Sequence, residues 1–388
     1  MNARLYFDWN ATAPLRPETR AAVLAALSVT GNPSSVHAEG RAARRLIEDA
    51  REQVAALVGA QPRNVVFTSG GTEANVLALT PPSDPAAATR AKLLVSMVEH
   101  TSVLAGGRFP ASAVEQLPVT ISGELDLSVL ERRLARLAAP FVVSVMVANN
   151  ETGVVQPVAR AAELVHKAGG ILHVDAVQGP GRISCNISDL RADFLTISAH
   201  KIGGPKGVGA LIRRDADVPF PTPLVTGGGQ ERRSRAGTEN VPGIAGFGAA
   251  AAATARNFAS EAPRLRALRE RLDNALKANS APGLVVFGAD APRLPNTTLF
   301  AVPGVRAETA VIAFDLEGVA VSSGAACSSG KVQPSHVLRA MGVPPRLARG
   351  AVRVSFGPST SEADIDCFVC AWIKVSGALL KDGSAVAA

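Results

Sequence analysis

Asp175 closes one apolar run, "ILHVDAV", and Lys201 follows another, "DFLTISAHK". A carboxylate at the end of a buried strand is costly unless it is paired. The lysine stands beside Ser198 and His200 and ahead of Gly203 and Gly204, so an amine sits in a turn suited to an anion. An acid and an amine at the ends of successive strands suit one cofactor well. Pyridoxal phosphate takes a lysine for its Schiff base, an acid for its pyridine nitrogen and a cradle for its phosphate. The acid keeps the ring nitrogen protonated, and the ring can then accept carbanion electrons. Each residue alone has a plainer account: Lys201 solvated, Asp175 paired with any nearby donor.

A cradle is available in "FTSGGTEANVLAL". A strand meets a glycine turn and then a helix, so the N–H groups of Gly71 and Thr72 point at an anion that the helix dipole favours. Thr72 also serves as a cap or donates its hydroxyl. The motif is neither a Walker A loop nor a G-x-G-x-x-G fingerprint, which weakens a nucleotide reading. Cys327 lies in "SSGAACSSGKVQPSHVL", among small residues that cannot bury a thiol well. From the residues alone it is a turn residue, a metal ligand, half of a disulfide or a nucleophile on a loose arm. Cys367 and Cys370 form a C-x-x-C within a helical pattern, with no second pair at metal spacing, and read as packing residues.

These residues need a scaffold. The chain has 388 residues, 47% of them hydrophobic, enough for about two domains. Apolar runs "NVVFTS", "KLLVSM", "FVVSVMVA", "ILHVDAV", "DFLTIS" and "GVGALIRR" alternate with helical stretches such as "VARAAELVHKAG". That alternation predicts an α/β protein with a mostly parallel sheet, whose ligands sit beyond the carboxyl ends of the strands. The pattern occupies residues 15–255, the expected large domain. An alanine-rich helix leads out of it, and residues 1–14 with 256–388 are expected to form a smaller α+β domain carrying the Cys327 loop.

Composition excludes several classes. No apolar run approaches the roughly 18–20 residues of a membrane span, and the start has no signal-peptide pattern, so a cytoplasmic protein without membrane contact is expected. Net charge is +7, but the basic residues are interleaved with acids and aromatics are only 4%. Direct nucleic-acid binding is therefore not expected.

Taken together, "FDWNATAP", "GNPSSVHAEGRAAR", "TSGGTEAN", "EHTSV", "NNETGVVQP", "HVDAVQ", "SAHKIGGPKGVGAL", "GGGQERRSRAGTEN", "SSGAACSSG" and "RVSFG" resemble, in order and over nearly the whole chain, the NifS/IscS-type cysteine desulfurases of the class V aminotransferase family. The resemblance implies an aspartate-aminotransferase-like fold (fold type I) with a seven-stranded large-domain sheet. It implies pyridoxal phosphate on Lys201, with Asp175 at the pyridine nitrogen and His100 stacked on the ring and moving protons. Asn150 and Gln178 reach the ring-oxygen side, and Gly71, Thr72, Ser198 and His200 hold the phosphate. Thr238 reaches the phosphate of a neighbouring subunit, which implies a homodimer with shared sites. Arg353 clamps the substrate carboxylate, with Asn32 and Asn150 bordering that pocket.

The implied reaction takes L-cysteine to L-alanine. Cys327, as thiolate, accepts the sulfur as a persulfide and passes it to an acceptor such as an iron–sulfur scaffold protein. A metal role falls to Cys327 only if a cluster is transiently shared with such a scaffold. The segment from about Ala326 to Gln333 is expected to move. Ala325 and Val76 depart from the commoner family pattern without touching an assigned role, and the ending "SAVAA" favours a NifS-like role. A transaminase or selenocysteine lyase on the same scaffold, or a non-enzymatic anion-binding protein, are the other readings.

Overall fold

The structure is a computed structural model, and it describes residues 4–137, 140–323 and 335–386. Seven strands form the main sheet: β1 (Val65–Thr68), β2 (Lys92–Ser96), β3 (Val114–Leu117), β4 (Phe141–Ser144), β5 (Ile171–Asp175), β6 (Phe194–Ser198) and β7 (Gly209–Arg213). Their order is β1-β7-β6-β5-β4-β2-β3. β7 runs antiparallel to both its neighbours and the other pairings are parallel. The mostly parallel expectation holds, and the sheet is covered on both faces. Leu172, Val174 and Leu195 are fully buried, as continuous apolar strands require. β3 escaped the sequence reading because "VEQL" is a short edge strand with two polar residues.

Register places the chemistry. β5 pairs with β6 so that Asp175 lies beside Thr196, and Ser198 ends the neighbouring strand. Both strands deliver polar residues at their carboxyl edge, where an open parallel sheet binds ligands.

The helix Val241–Asn279 links two apolar bodies. Its alanine-rich first half packs Phe247, Ala250 and Ala251 into the core around the seven strands. Its second half places Leu265, Leu268, Leu272 and Leu276 in another core, with Phe7, Trp9, Phe300 and Trp372. Pro263 lies between the halves, where it removes one helical hydrogen bond. Over the second core runs a four-stranded sheet in the order Ser322–Ser323, Val352–Ser355, Thr297–Ala301, Val285–Val286. The N-terminal strand Leu5–Tyr6 pairs with Val319–Ala320, and Asp8 bridges to Ser355. The N-terminal segment is thereby carried from the second core to the edge of the first sheet.

Cys367 and Cys370 do lie on a helix, Glu362–Val386, but both are exposed. The packing role expected for them is corrected: they fall on the solvent side of a helix whose buried side is Ile365, Phe368 and Trp372. Among the described residues no group of His, Cys, Asp and Glu could hold a metal. No helix among them is long and apolar enough to cross a membrane.

Candidate active site

A cavity of about 310 Å³ opens at the carboxyl edge of β5 and β6, at the lower end of the range for small-molecule sites, roughly 300–1,000 Å³. Ten residues singled out in the sequence line it. Gly71, Thr72, Ser198 and His200 stand at one end; His100, Asn150, Asp175, Gln178, Lys201 and Arg353 line the rest. Asn32 and Thr238 do not line it. Asn32 is exposed and accepts from the Ser34 N–H in the turn before the helix Ala38–Leu57. Thr238 is exposed on the loop that precedes the helix Val241–Asn279. Cys327 and the segment Ala326–Gln333 lie outside the described residues.

Asp175 is buried, and its charge is met by donors. The N–H of Val177 gives 2.9 Å to Oδ1, and Nδ2 of Asn75 gives 2.8 Å to Oδ2. Asn75 stands three residues after Thr72 on the helix Gly71–Ala78, so one turn separates the anion turn from the partner of the acid. That spacing was visible in "TEAN", but nothing in sequence said which face the amide would meet. Lys201 reaches back to the N-terminal segment: Nζ donates to the carbonyl of Asn10 at 2.5 Å and of Ala11 at 2.8 Å. The Asn10 carbonyl also accepts from Nε2 of Gln178, whose Oε1 accepts from Arg182.

The cradle is built from close backbone approaches. A Cβ on Gly71 would meet Cγ2 of Val177 at 2.9 Å, and one on Gly209 would meet the backbone of Gly70 at 2.5 Å. Only glycine lets β7 pass this turn so closely. The Oγ of Ser198 is buried beside it without a partner, which is the state of a hydroxyl awaiting an acceptor. Lys206, unremarked in the sequence, joins Thr72, Ser198 and His200 around a contiguous hollow. Burial, then the charges of Lys201, Lys206 and Arg182, push His200 down to about 4. Its imidazole is neutral at physiological pH and adds no charge of its own. Glu73, in the first turn of the helix, would repel an anion, but it is neutralised by Arg235 at 3.1 Å and accepts from the Ser69 N–H.

Arg353 is buried with its fork partly engaged. Nη1 donates to the Asn150 carbonyl at 3.0 Å, Nη2 to Asp8 at 2.6 Å, and Nε has no partner. Glu151, next to Asn150, is fully buried. Burial raises its carboxyl to about 7, although the Ser335 hydroxyl at 2.6 Å and Arg353 pull the other way. Burial also holds the Glu99 carboxyl well above the usual range, with Asp175 adding to it. Asp8, Asn10, Asn75, Ser102 and Glu99 all shape the site and were assigned no role from sequence.

The donor set fits pyridoxal phosphate. It offers a lysine amine, a buried carboxylate, an anion turn with an unpartnered serine hydroxyl, and a cavity of suitable size. A two-core α/β architecture with this constellation at the sheet edge defines the class. The Aminotransferase class-V family model matches residues 5–368, and the chain belongs to that family. Within it the chain is of the NifS/IscS cysteine desulfurase type. It is 44% identical over 371 residues to a cysteine desulfurase of Cereibacter sphaeroides, spanning 94% of this chain and 93% of the relative. The NifS-like protein of Rickettsia africae ESF-5 superposes with a TM-score of 0.87 at 36% identity, covering 96% of this chain and 99% of that one. SspA, solved in complex with cysteine, superposes with a TM-score of 0.78 at 29% identity, over 92% of this chain and 100% of that one.

Proposed function

We propose that the chain is a cysteine desulfurase that binds pyridoxal phosphate at Lys201, releases L-alanine from L-cysteine and carries the sulfur on Cys327. The observation behind this reading is the meeting of Lys201, Asp175 and an anion turn around one cavity walled by Arg353. Bound there, the cofactor supplies an electron sink that acidifies Cα of an amino acid and weakens its Cβ–S bond.

The chain's own residues do the rest. Arg353 holds the substrate carboxylate, its orientation set by Asp8 and the Asn150 carbonyl. The Lys201 amine takes the Cα proton. Asp175, fixed by Asn75 and the Val177 N–H, offers its charge to the ring nitrogen. Gly71, Thr72, Ser198 and His200 hold the phosphate, and Asn150 and Gln178 face the ring-oxygen side. The Cys327 thiolate attacks the substrate sulfur. A Cys327 S–S bond forms and the Cβ–S bond breaks. Its electron pair stays with the substrate carbon, which gains a proton to become the alanine methyl.

The proposal extends to the assembly. Thr238 is exposed and away from its own cavity, which supports a homodimer in which it reaches the neighbour's phosphate; Asn32, equally exposed, borders the substrate pocket in that arrangement. The two apolar cores support a division into residues 15–255 and residues 1–14 with 256–388. Cys185, Cys367 and Cys370 are free, which supports a cytoplasmic setting. The sulfur passes to an acceptor such as an iron–sulfur scaffold protein, and Cys327 binds metal only if a cluster is shared with it.

The test is purified protein supplied with L-cysteine. Wild type is expected to carry a visible absorbance band and to release alanine. Lys201→Ala is expected to lose both. A colourless wild type after incubation with pyridoxal phosphate, or one that releases no alanine, refutes the reading.

A further inference from the structure

His100 begins the four-residue helical turn Thr101–Leu104 and lines the cavity. Its Nδ1 edge is turned into the protein. The Ser102 N–H donates to Nδ1 at 3.2 Å, and the Ser102 hydroxyl lies 2.8 Å from the same atom. The direction of that second bond follows from the residue behind it. Nδ2 of Asn75 donates to Ser102 Oγ at 3.0 Å and to Asp175 Oδ2 at 2.8 Å. The Asp175 carboxylate only accepts, so the Asn75 amide must present its nitrogen here. Ser102 Oγ then receives a hydrogen from Asn75 and gives its own to His100 Nδ1. Two donors meet one ring nitrogen, which must carry a lone pair. The ring proton is left on Nε2, the nitrogen free of the Ser102 contacts.

We propose that Asn75 and Ser102 are positioning residues that lock His100 in its Nε2–H tautomer. In the resting enzyme His100 then offers a hydrogen bond to the cavity and accepts no proton. The inference rests on the proposed function for its purpose. It sharpens that function, because the proton-accepting step falls to the Lys201 amine and His100 acts first as a donor. The ionisable groups around the ring agree. Burial lowers the imidazole and the Lys201 charge lowers it further, while Asp175 opposes both. Glu99 precedes it with a carboxyl that burial, and then Asp175, hold well above the usual carboxylate range. His336, on the facing helix His336–Ala340, is itself lowered by burial and donates from Nε2 to the Glu99 carbonyl.

Histidine-selective ¹⁵N labelling of the full chain tests this, before and after addition of pyridoxal phosphate and without substrate. The His100→Gln spectrum assigns the resonance among the six histidines. Wild type is expected to show Nδ1 unprotonated and Nε2 protonated at neutral pH. In Ser102→Ala the His100 titration midpoint rises by about one pH unit, the size of one lost hydrogen bond to the neutral ring; Ser102→Thr restores it. A proton on Nδ1 in wild type, or an unmoved midpoint in folded Ser102→Ala, overturns the proposal. Should Ser102→Ala not fold, the wild-type tautomer alone decides. Cysteine turnover is measured separately. A locked tautomer without alanine release refutes the proposed function alone, and alanine release with the wrong tautomer refutes the lock alone.

Discussion

Nζ of Lys201 lies 2.5 Å from the carbonyl oxygen of Asn10, a residue 191 positions earlier in the N-terminal segment. Asn10 is itself buried and tied in several directions. Its N–H donates to Ser355 Oγ, and its Nδ2 donates to the Asn150 carbonyl and to Thr297 Oγ1. The amine at the centre of the site therefore rests on a segment fastened to the small sheet. Movement of one core relative to the other would reach Lys201 through this residue.

Asn10→Ala removes one hydrogen bond from the Thr297 hydroxyl and one from the Asn150 carbonyl, which keep only Asn296 Oδ1 and Arg353 as partners. Two lost hydrogen bonds at about 0.5–1.5 kcal/mol each come to about 1–3 kcal/mol. Denaturant unfolding is expected to show that loss, and cofactor retention on dialysis should fall with it. A variant as stable as wild type would show that Asn10 is not a structural tie.

Arg353→Lys keeps the charge but loses the planar fork that grips a carboxylate. Its KM for L-cysteine is expected to rise roughly ten- to hundredfold, as for one lost charge-assisted bond. Asp8→Asn, which loosens the fork without removing it, should raise KM less. Equal effects on kcat with KM unchanged would contradict the assignment of Arg353 to carboxylate binding.

Glu151 gives a pH signature. Its carboxyl is raised from 4.5 to about 7 in the folded chain, so the folded state holds a proton that the unfolded state releases. Its contribution is fully present below about pH 4.5 and is lost as pH rises through about 7. Glu151→Gln keeps an oxygen for the Ser335 hydroxyl without the charge. Relative to wild type it is expected to gain roughly 3 kcal/mol across that window. His173 and His200, both pushed down to about 4, act in the opposite sense and lose stability as pH falls from 6.5. The comparison of Glu151→Gln with wild type cancels them. A difference that does not change with pH would refute the account of Glu151.

Hybrid assemblies test whether Thr238 serves a neighbour. Co-expressed Lys201→Ala and Thr238→Val chains would form hybrids with one complete site, because the Lys201→Ala chain still supplies its threonine. Activity above that of either parent is expected. No recovery, with hybrids confirmed by affinity tags, would place Thr238 in its own chain's site or in none.

The sequence was most informative where chemistry is local. Asp175, Lys201, Ser198 and His200 sit at ends of apolar runs, and the turn at Gly71 and Thr72 sits between a strand and a helix. Their types and positions together suggested the cofactor before any geometry. Asn75, Ser102, Asp8 and Asn10 were illegible for a common reason. Each acts through a contact with a distant segment, such as Asn75 with Asp175 or Asp8 with Arg353. Alone, Ser102 reads as a helix-start residue and Asn75 as a helix interior. The short edge strand β3 was missed because its half-polar pattern lacks a buried strand's apolar run. Cys367 and Cys370 were misjudged because helical periodicity gives a face only when the neighbouring packing is known.

The most direct test of the central claim follows the sulfur. Wild-type enzyme is given L-cysteine without reductant, and the intact protein is weighed by mass spectrometry while alanine is counted. The account predicts a gain of one sulfur on wild type, reversed by a thiol reductant and matched by one alanine per added sulfur. It predicts no gain on Cys327→Ser and alanine release at a small fraction of the wild-type rate. Alanine formed by Cys327→Ser at the wild-type rate would contradict it.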